Sequence, residues 1–203
     1  MAGSFVRRSV AALGAIALIT ALSGCTDDSD ADPEASESPS ASGSPSETST
    51  SETPSPGPTE PPEPAGMGEP TKKGAELLVR YYFEVADYAQ KTGDVKKLRT
   101  LSRPGCGSCN NVVSGIHGIH KAGGFIHGGH HTIRSLKVTP IGSGETAGFR
   151  VDIQLHSSKQ QSRASSRGKV NHVPPAVDPV LFALSTDSDG ALKVDFWQIE
   201  ATS

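Results

Sequence analysis

A compositional break near Pro70 decides how much of this chain can fold. Asp27–Pro70 consists almost wholly of Ser, Thr, Pro, Glu, Asp, Gly and Ala, has no aromatic residue, and offers Met67 as its one large apolar side chain. So little apolar surface cannot offset the entropy of ordering, and residues 25–70 are expected to form an unfolded spacer. Frequent prolines and repulsion between carboxylates favour extended conformers, with a reach of roughly 130 Å at about 3.1 Å per residue. Folding then falls to Thr71–Ser203, a length that suits one domain and leaves no room for two.

The charge divides at the same place. Thr26–Pro70 carries 11 Asp and Glu and no Lys or Arg, whereas the chain from Thr71 onward carries 17 Lys and Arg against 11 Asp and Glu. The net charge of −3 for all 203 residues therefore conceals an acidic tether joined to a mildly basic domain. Such a split suits a solubilising charge balance, or an acidic neighbour such as lipid headgroups or wall polymers. A basic helix or a patch of interleaved bases and aromatics is missing, so nucleic acid is not an expected partner.

The N-terminal 24 residues read as a secretory signal. Arg7 and Arg8 precede the apolar run Val10–Leu22, which is short of the roughly 20 residues a membrane-spanning helix needs. Leu22-Ser23-Gly24-Cys25 follows and resembles the lipobox of bacterial lipoproteins. That resemblance implies acylation of Cys25, removal of residues 1–24, and a lipid-anchored position on the extracytoplasmic face of the cell membrane. Two acyl chains suffice for stable anchoring. The Arg7-Arg8 pair also permits a twin-arginine signal, but the residues after it match that pattern poorly and the general secretory route is expected.

Within the folding part, Leu77, Leu78, Tyr81, Val85 and Tyr88 recur at helical spacing over Lys73–Thr92, and Gly93 ends the run. Asp94 is positioned to cap a short helix reaching Leu101. Val112, Ile116 and Ile119 mark a third helix over Ser108–Lys121, closed by Gly123-Gly124. Thereafter the period is two: His131–Thr139, Phe149–Ser157, Val180–Thr186 and Leu192–Glu200 alternate apolar and polar residues as half-buried strands do, with Phe125–His127 a possible first strand. Gly142-Ser143-Gly144 and Asp187–Gly190 suit hairpin turns. Ser157–Pro179 reads as a long flexible connection bearing Lys159, Arg163, Arg167 and Lys169. Helices followed by strands predict an α+β domain, three N-terminal helices on one curved antiparallel sheet of four to five strands. This order is similar to the cone-shaped nuclear transport factor 2-like superfold.

A closer resemblance rests on Tyr81-Tyr82-Phe83, Tyr88-Ala89, Thr92-Gly93-Asp94, Cys106 and Cys109, Gly123-Gly124 and Gly128-Gly129. Behind its lipobox and Ser/Pro-rich spacer, Pro70–Glu200 resembles an actinobacterial lipoprotein family known as domain of unknown function 6318. The resemblance implies a surface location and a fold, and no activity.

Three readings compete for Cys106-Gly107-Ser108-Cys109. With Cys25 taken by lipid, two thiols remain in an oxidising compartment, which favours a disulfide that fixes the turn into the third helix. A redox pair at a helix N-terminus is the second reading, although the βαβ surroundings of a thioredoxin are missing. The third is a zinc site completed by His117 and His120, at a spacing unlike that of ordinary zinc fingers. Histidine is concentrated: His117, His120, His127, His130 and His131 fall within fifteen residues, with His156 and His172 beyond. His117 and His120 lie one helical turn apart, and the Gly-rich turn around His127, His130 and His131 could gather imidazoles around Zn²⁺ or Cu²⁺. The expectation is nevertheless that these are solvated loop histidines holding no metal, with no Asp or Glu nearby to complete a catalytic set.

Asp87, Asp94, Asp152 and Asp195 show no paired spacing that suggests a general acid and base. No nucleophile elbow, phosphate loop or dinucleotide fingerprint is present. Trp197, Phe149 and Phe182 are expected in the sheet core. The expected protein is thus a non-enzymatic binding or accessory lipoprotein without a cofactor, whose unidentified ligand is an envelope protein, a wall polymer or a small molecule. The alternatives are a small isomerase- or dehydratase-type enzyme using a cone-shaped cavity, and a metal-binding lipoprotein.

Overall fold

The computed structural model describes residues 57–143 and 147–201. The expected signal segment, Cys25 and the expected spacer as far as residue 56 lie outside the described residues, as does Gly144 of the first expected hairpin turn.

Helix α1 spans Lys72–Thr92. It starts where Thr71 Oγ1 accepts the Gly74 amide at 3.0 Å, an N-cap that satisfies a donor the helix cannot. It stops at Gly93, whose φ of 78° places it in the left-handed region and whose N–H reaches Ala89 O. Only glycine serves there, because an added Cβ would also meet the His120 ring at 2.7 Å. The buried face is wider than the sequence suggested. Val79, Tyr82 and Phe83 are buried while Leu77 and Tyr88 are half-buried, because α1 is covered on more than one side.

Helix α2 is the single turn Lys96–Thr100. Its N-cap position is Val95, one residue later than expected, and Asp94 contributes from just outside, its Oδ1 accepting the Lys96 amide at 3.0 Å. Helix α3, Gly107–Lys121, follows the Pro104-Gly105 break and buries Cys109, Val113 and Ile116.

Among the described residues, seven strands form two antiparallel sheets, not one. The larger has the order β2 (His131–Ile141), β3 (Gly148–Ser157), β6 (Ala176–Thr186), β7 (Leu192–Ile199). The smaller has the order β1 (Phe125–Gly128), β4 (Gln160–Arg163), β5 (Val170–Val173). Residues 157–179, expected as a flexible connection, therefore contain two strands and the start of a third. Gln160–Arg163 is wholly polar and Val170–Val173 is exposed along its length, so neither displays the alternation that marks a half-buried strand.

One face of the larger sheet makes the core with the helices. Val151, Ile153, Val180, Phe182, Leu184 and Val194 meet Leu78, Tyr82, Phe83 and Val85 there. Tyr82 and Phe83 contact Phe182 edge-on, with centroids 5.6 and 5.7 Å apart, a geometry that adds to their burial. Trp197 stacks on Phe182 and its Nε1 donates to Tyr82 Oη at 3.2 Å. Aromatic rings thus occupy the interior between α1 and the sheet. Register breaks at Ile133/Ser135 and Ala183/Leu184 are places where the sheet bends. On the opposite face Arg150 joins Asp152 and Glu200, beside Leu181 and the exposed Phe196.

The folded part also begins earlier than Thr71. Tyr81 Oη donates to Pro61 O at 2.9 Å, Leu192 N donates to Gly68 O at 2.7 Å, Lys97 pairs with Glu63, and Met67 packs on the core. The last stretch assigned to the spacer is thus held down on the domain. Its composition gave no sign of this, because the ties run through backbone carbonyls and a single methionine.

Candidate functional site

The smaller sheet is built from residues with little apolar character, so its position depends on specific ties to the rest of the domain. Ile126 is its buried residue. Ser166 N donates to Ala122 O at 3.0 Å, beyond the end of α3. Gln160 Nε2 donates to Gln90 Oε1 of α1 at 2.9 Å. Gly128 and Gly129 turn the chain from β1 into β2 with φ of 73° and 74°. A Cβ on Gly128 would meet Lys159 O at 2.3 Å, so close backbone approach and left-handed geometry both require glycine.

Beside that turn, Asp87 of α1 clamps two of the clustered histidines. Its Oδ1 lies 2.5 Å from His131 Nδ1, and its Oδ2 accepts the His131 amide at 3.1 Å and lies 3.4 Å from His130 Nδ1. The Asp87 and His131 side chains are only 18% and 16% exposed, and the His131 ring rests 5.1 Å from that of Phe83. This corrects the expectation that no carboxylate stands near the histidines. Asp87 precedes His131 by 44 positions, so linear spacing could not reveal the pair. Its contact with Nδ1 fixes the tautomer of a neutral imidazole and leaves Nε2 as the acceptor. The pair edges an open cleft of about 240 Å³ that also involves Arg80, Phe83, Glu84, Thr132 and Ile133. None of these is a Ser or Cys that the pair could activate.

The other histidines do not converge. His120 Nε2 is 2.9 Å from Gln90 O, so it is a packing histidine at the junction of α1 and α3 and not a solvated one. His117 lines a separate surface cleft with Gly93, Asp94 and Arg99. Among the described residues, no three His, Cys, Asp or Glu side chains come together as a metal-ligand set. Cys106 and Cys109 are joined in a disulfide, which excludes them as zinc ligands in this state. Both are buried, and Cys106 Sγ accepts the Cys109 amide at 3.2 Å, so the bridge doubles as the N-cap of α3.

On the smaller sheet, register creates a neighbourhood that sequence reading missed. His127 of β1 pairs with Gln161 of β4, and Gln161 pairs with His172 of β5. Residues directly opposite each other project to the same side of a sheet, so the three form one row. The adjacent row is Phe125, Arg163 and Val170. The intervening residue Ile126 is buried, which leaves both rows on the solvent side. The Arg163 guanidinium lies over the Phe125 ring at 5.0 Å, and His127 packs on the same ring with centroids 4.5 Å apart. A cleft of about 470 Å³ runs beside the His127–His172 row, lined also by Lys159, Val173 and Pro174. β5 is the outer strand of this sheet, so its outer backbone edge has no neighbouring strand among the described residues.

These features define a mixed α+β domain of three helices and two antiparallel sheets, bearing a polar open-faced sheet beside its main core. The chain belongs to the family of unknown function DUF6318, whose model matches residues 47–179. That match starts within the spacer and stops inside β6, unlike the Pro70–Glu200 span over which the resemblance was drawn. Comparison with curated proteins finds no match. Among solved structures, the chain is similar to the intermembrane space region of the chloroplast protein ARC6, with a TM-score of 0.48 and 10% identity over 65% of this chain and 98% of that one. It is also similar to two structures from Catenulispora acidiphila. One has a TM-score of 0.41 and 14% identity, covering 64% and 92% of the two chains. The other, in complex with S-DNPA, has 0.39 and 14%, covering 63% and 93%. Likeness at this level assigns no function. No helix among the described residues is long and apolar enough to cross a membrane.

Proposed function

We propose that this chain is a cell-envelope lipoprotein, anchored through acylated Cys25, whose domain is a non-enzymatic binding module docking its partner on the smaller sheet. The observation that carries the docking surface is the solvent-facing pair of rows across β1, β4 and β5, beside a cleft and ending in an open strand edge. Folding spends little apolar burial on this sheet, yet glycines, a Gln–Gln bond and a helix-end carbonyl hold it in place. Anchoring rests on Leu22-Ser23-Gly24-Cys25 and the acidic spacer. The sequence of three helices followed by antiparallel strands supports a nuclear transport factor 2-like reading of the larger sheet, with its interior filled by aromatic rings.

Two measurements test the proposal. Cys25→Ala abolishes metabolic lipid labelling and moves the protein out of the membrane fraction; equal membrane retention of both forms contradicts anchoring. A photo-crosslinking residue at His172 gives a discrete adduct in cells, while one at Gln198 on β7 does not. Indistinguishable patterns from the two positions contradict docking on the smaller sheet.

One observation favours a second reading, a small enzyme of isomerase or dehydratase type. The Asp87–His131 contact is of the kind that orients a general base. It ranks second because Asp87 also accepts the His131 amide, which accounts for the pair as a clamp between α1 and the β1–β2 turn. Turnover lost in His131→Asn with melting unchanged would promote it.

A further inference from the structure

We propose that the smaller sheet binds an anionic, hydroxyl-bearing polymer of the cell envelope whose repeating charges are phosphodiesters. This rests on the docking reading above and adds the chemistry of the occupant.

The first ground is charge. Residues 153–177, which contain β4, β5 and their connections, carry Lys159, Arg163, Arg167 and Lys169 and no Asp or Glu. No Asp or Glu occurs in residues 95–144 either, which contain β1 and the whole of β2. None of those four cations forms an ion pair among the described residues, a state they share with Lys72, Lys91, Arg99, Lys121, Arg134 and Lys137, but the four fall within eleven residues that contain no acidic side chain. A patch of uncompensated cations raises the local concentration of anions and speeds their capture.

The second ground is the state of Arg163. Its guanidinium is held over the Phe125 ring, and its buried Nε has no hydrogen-bond partner among the described residues. A planar guanidinium fixed by stacking and not engaged by a carboxylate suits bidentate contact with a phosphate.

The third ground is spacing. Lys159 precedes β4 at one end of the sheet, while Arg163, Arg167 and Lys169 surround the β4–β5 turn at the other. A four-residue strand separates the two ends by about 10 Å at roughly 3.3 Å per residue. Between them lies the His127–Gln161–His172 row, whose amide and imidazoles exchange hydrogen bonds with hydroxyls. Charge, hydroxyl-binding row, charge is a track for a repeating polymer and exceeds what a single headgroup needs. A bilayer surface is the less favoured occupant. Interfacial binding draws on exposed Trp, Phe or Leu, and the one aromatic ring of these rows, Phe125, is half-buried beneath Arg163 and His127.

The test uses the full chain carrying Cys25→Ser, so that no acyl group interferes, with labelled poly(glycerol phosphate) as the probe in anisotropy titrations. Saturable binding is expected, weakening as salt rises. Arg163→Gln with Lys169→Gln weakens it at least tenfold at low salt and lowers the slope of log affinity against log salt by roughly 1.4, using about 0.7 per charge for a flexible polyanion. An unchanged melting temperature in that variant assigns the loss to binding and not to folding. Equal affinity of variant and parent overturns the proposal. So does tighter binding to phosphatidylglycerol vesicles than to the polymer, which would make the partner a lipid surface. Absence of polymer binding also overturns it. If the discrete crosslink from position 172 persists in that case, the docking face stands and only its ligand has been misassigned.

Discussion

The two sheets of this domain are held together by different means. In the larger one, Val151, Phe182, Leu184 and Val194 are essentially inaccessible, and slipping any strand by one residue would expose a full set of apolar side chains. In the smaller one, Ile126 is the buried residue and β5 is exposed throughout. Its register is set by backbone pairing, by Gly128-Gly129 and by the Gln160–Gln90 bond. The first sheet cannot change its surface residues' neighbours without losing the core. The second is nearly free of core duties, so its side chains are available for recognition.

Substitutions should separate the two in order of size. Phe182→Ala, at the centre of the aromatic cluster, is expected to cost about 3–5 kcal/mol in denaturant unfolding. A cost below about 1.5 kcal/mol would mean that the large sheet is not the stabilising one.

Tyr82 gives the next effect, through pH. Burial pushes its hydroxyl up to about 12, against the lowering influence of its hydrogen bond with Trp197. The native state thus keeps its proton while the unfolded chain loses its own near pH 10. The resulting stability is complete below about pH 10 and disappears as pH rises toward about 12, a loss on the order of 2–3 kcal/mol. Unfolding free energies measured from pH 9 to 12 should fall along this course, and Tyr82→Phe should fall less steeply.

Breaking the Cys106–Cys109 bridge comes third. Chain-entropy reasoning gives about 2 kcal/mol for so small a loop, and reduction under native conditions should lower the melting temperature without releasing the smaller sheet. Free thiols in the unreduced protein would contradict the disulfide.

Asp87→Ala should cost about 1–2 kcal/mol, because it removes the acceptor of two His131 donors. Its diagnostic is local: amide exchange should quicken around His130 and His131 and on β1, while β3 and β6 remain protected. Val173→Thr on the exposed strand is expected to fall within about 0.5 kcal/mol. A larger loss would place β5 in the folding core and erase the contrast between the sheets.

Much of the larger architecture could be read directly. The apolar period of 3.6 located α1 and α3, the period of two located β2, β3, β6 and β7, and Gly93 acts as the terminator its chemistry suggests, while the cap of α2 falls at Val95 and not at Asp94. The strands ran longer than the alternation indicated, since pairing continues past the last buried residue. The smaller sheet was illegible for a physical reason. Gln160–Arg163 and Val170–Val173 are strands because neighbours accept and supply their backbone hydrogen bonds, and no side-chain pattern records that. The candidate site failed to show itself in the same way. His127, Gln161 and His172 become neighbours only through strand register, and Asp87 reaches His131 only because α1 packs on the sheet face against the start of β2.

By itself the sequence determined the acidic, apolar-poor character of the stretch before the domain, the order of the helices and main strands, and the lack of any local catalytic motif, and it favoured a disulfide between Cys106 and Cys109 without excluding the other two readings. Those features depend on composition and on contacts close along the chain. Tertiary structure alone decided that two sheets form, that residues from Pro61 onward join the domain, and which histidines meet a carboxylate. These outcomes depend on groups tens of residues apart, brought together by burying Phe182, Tyr82 and their neighbours and not by any preference of the polar residues themselves.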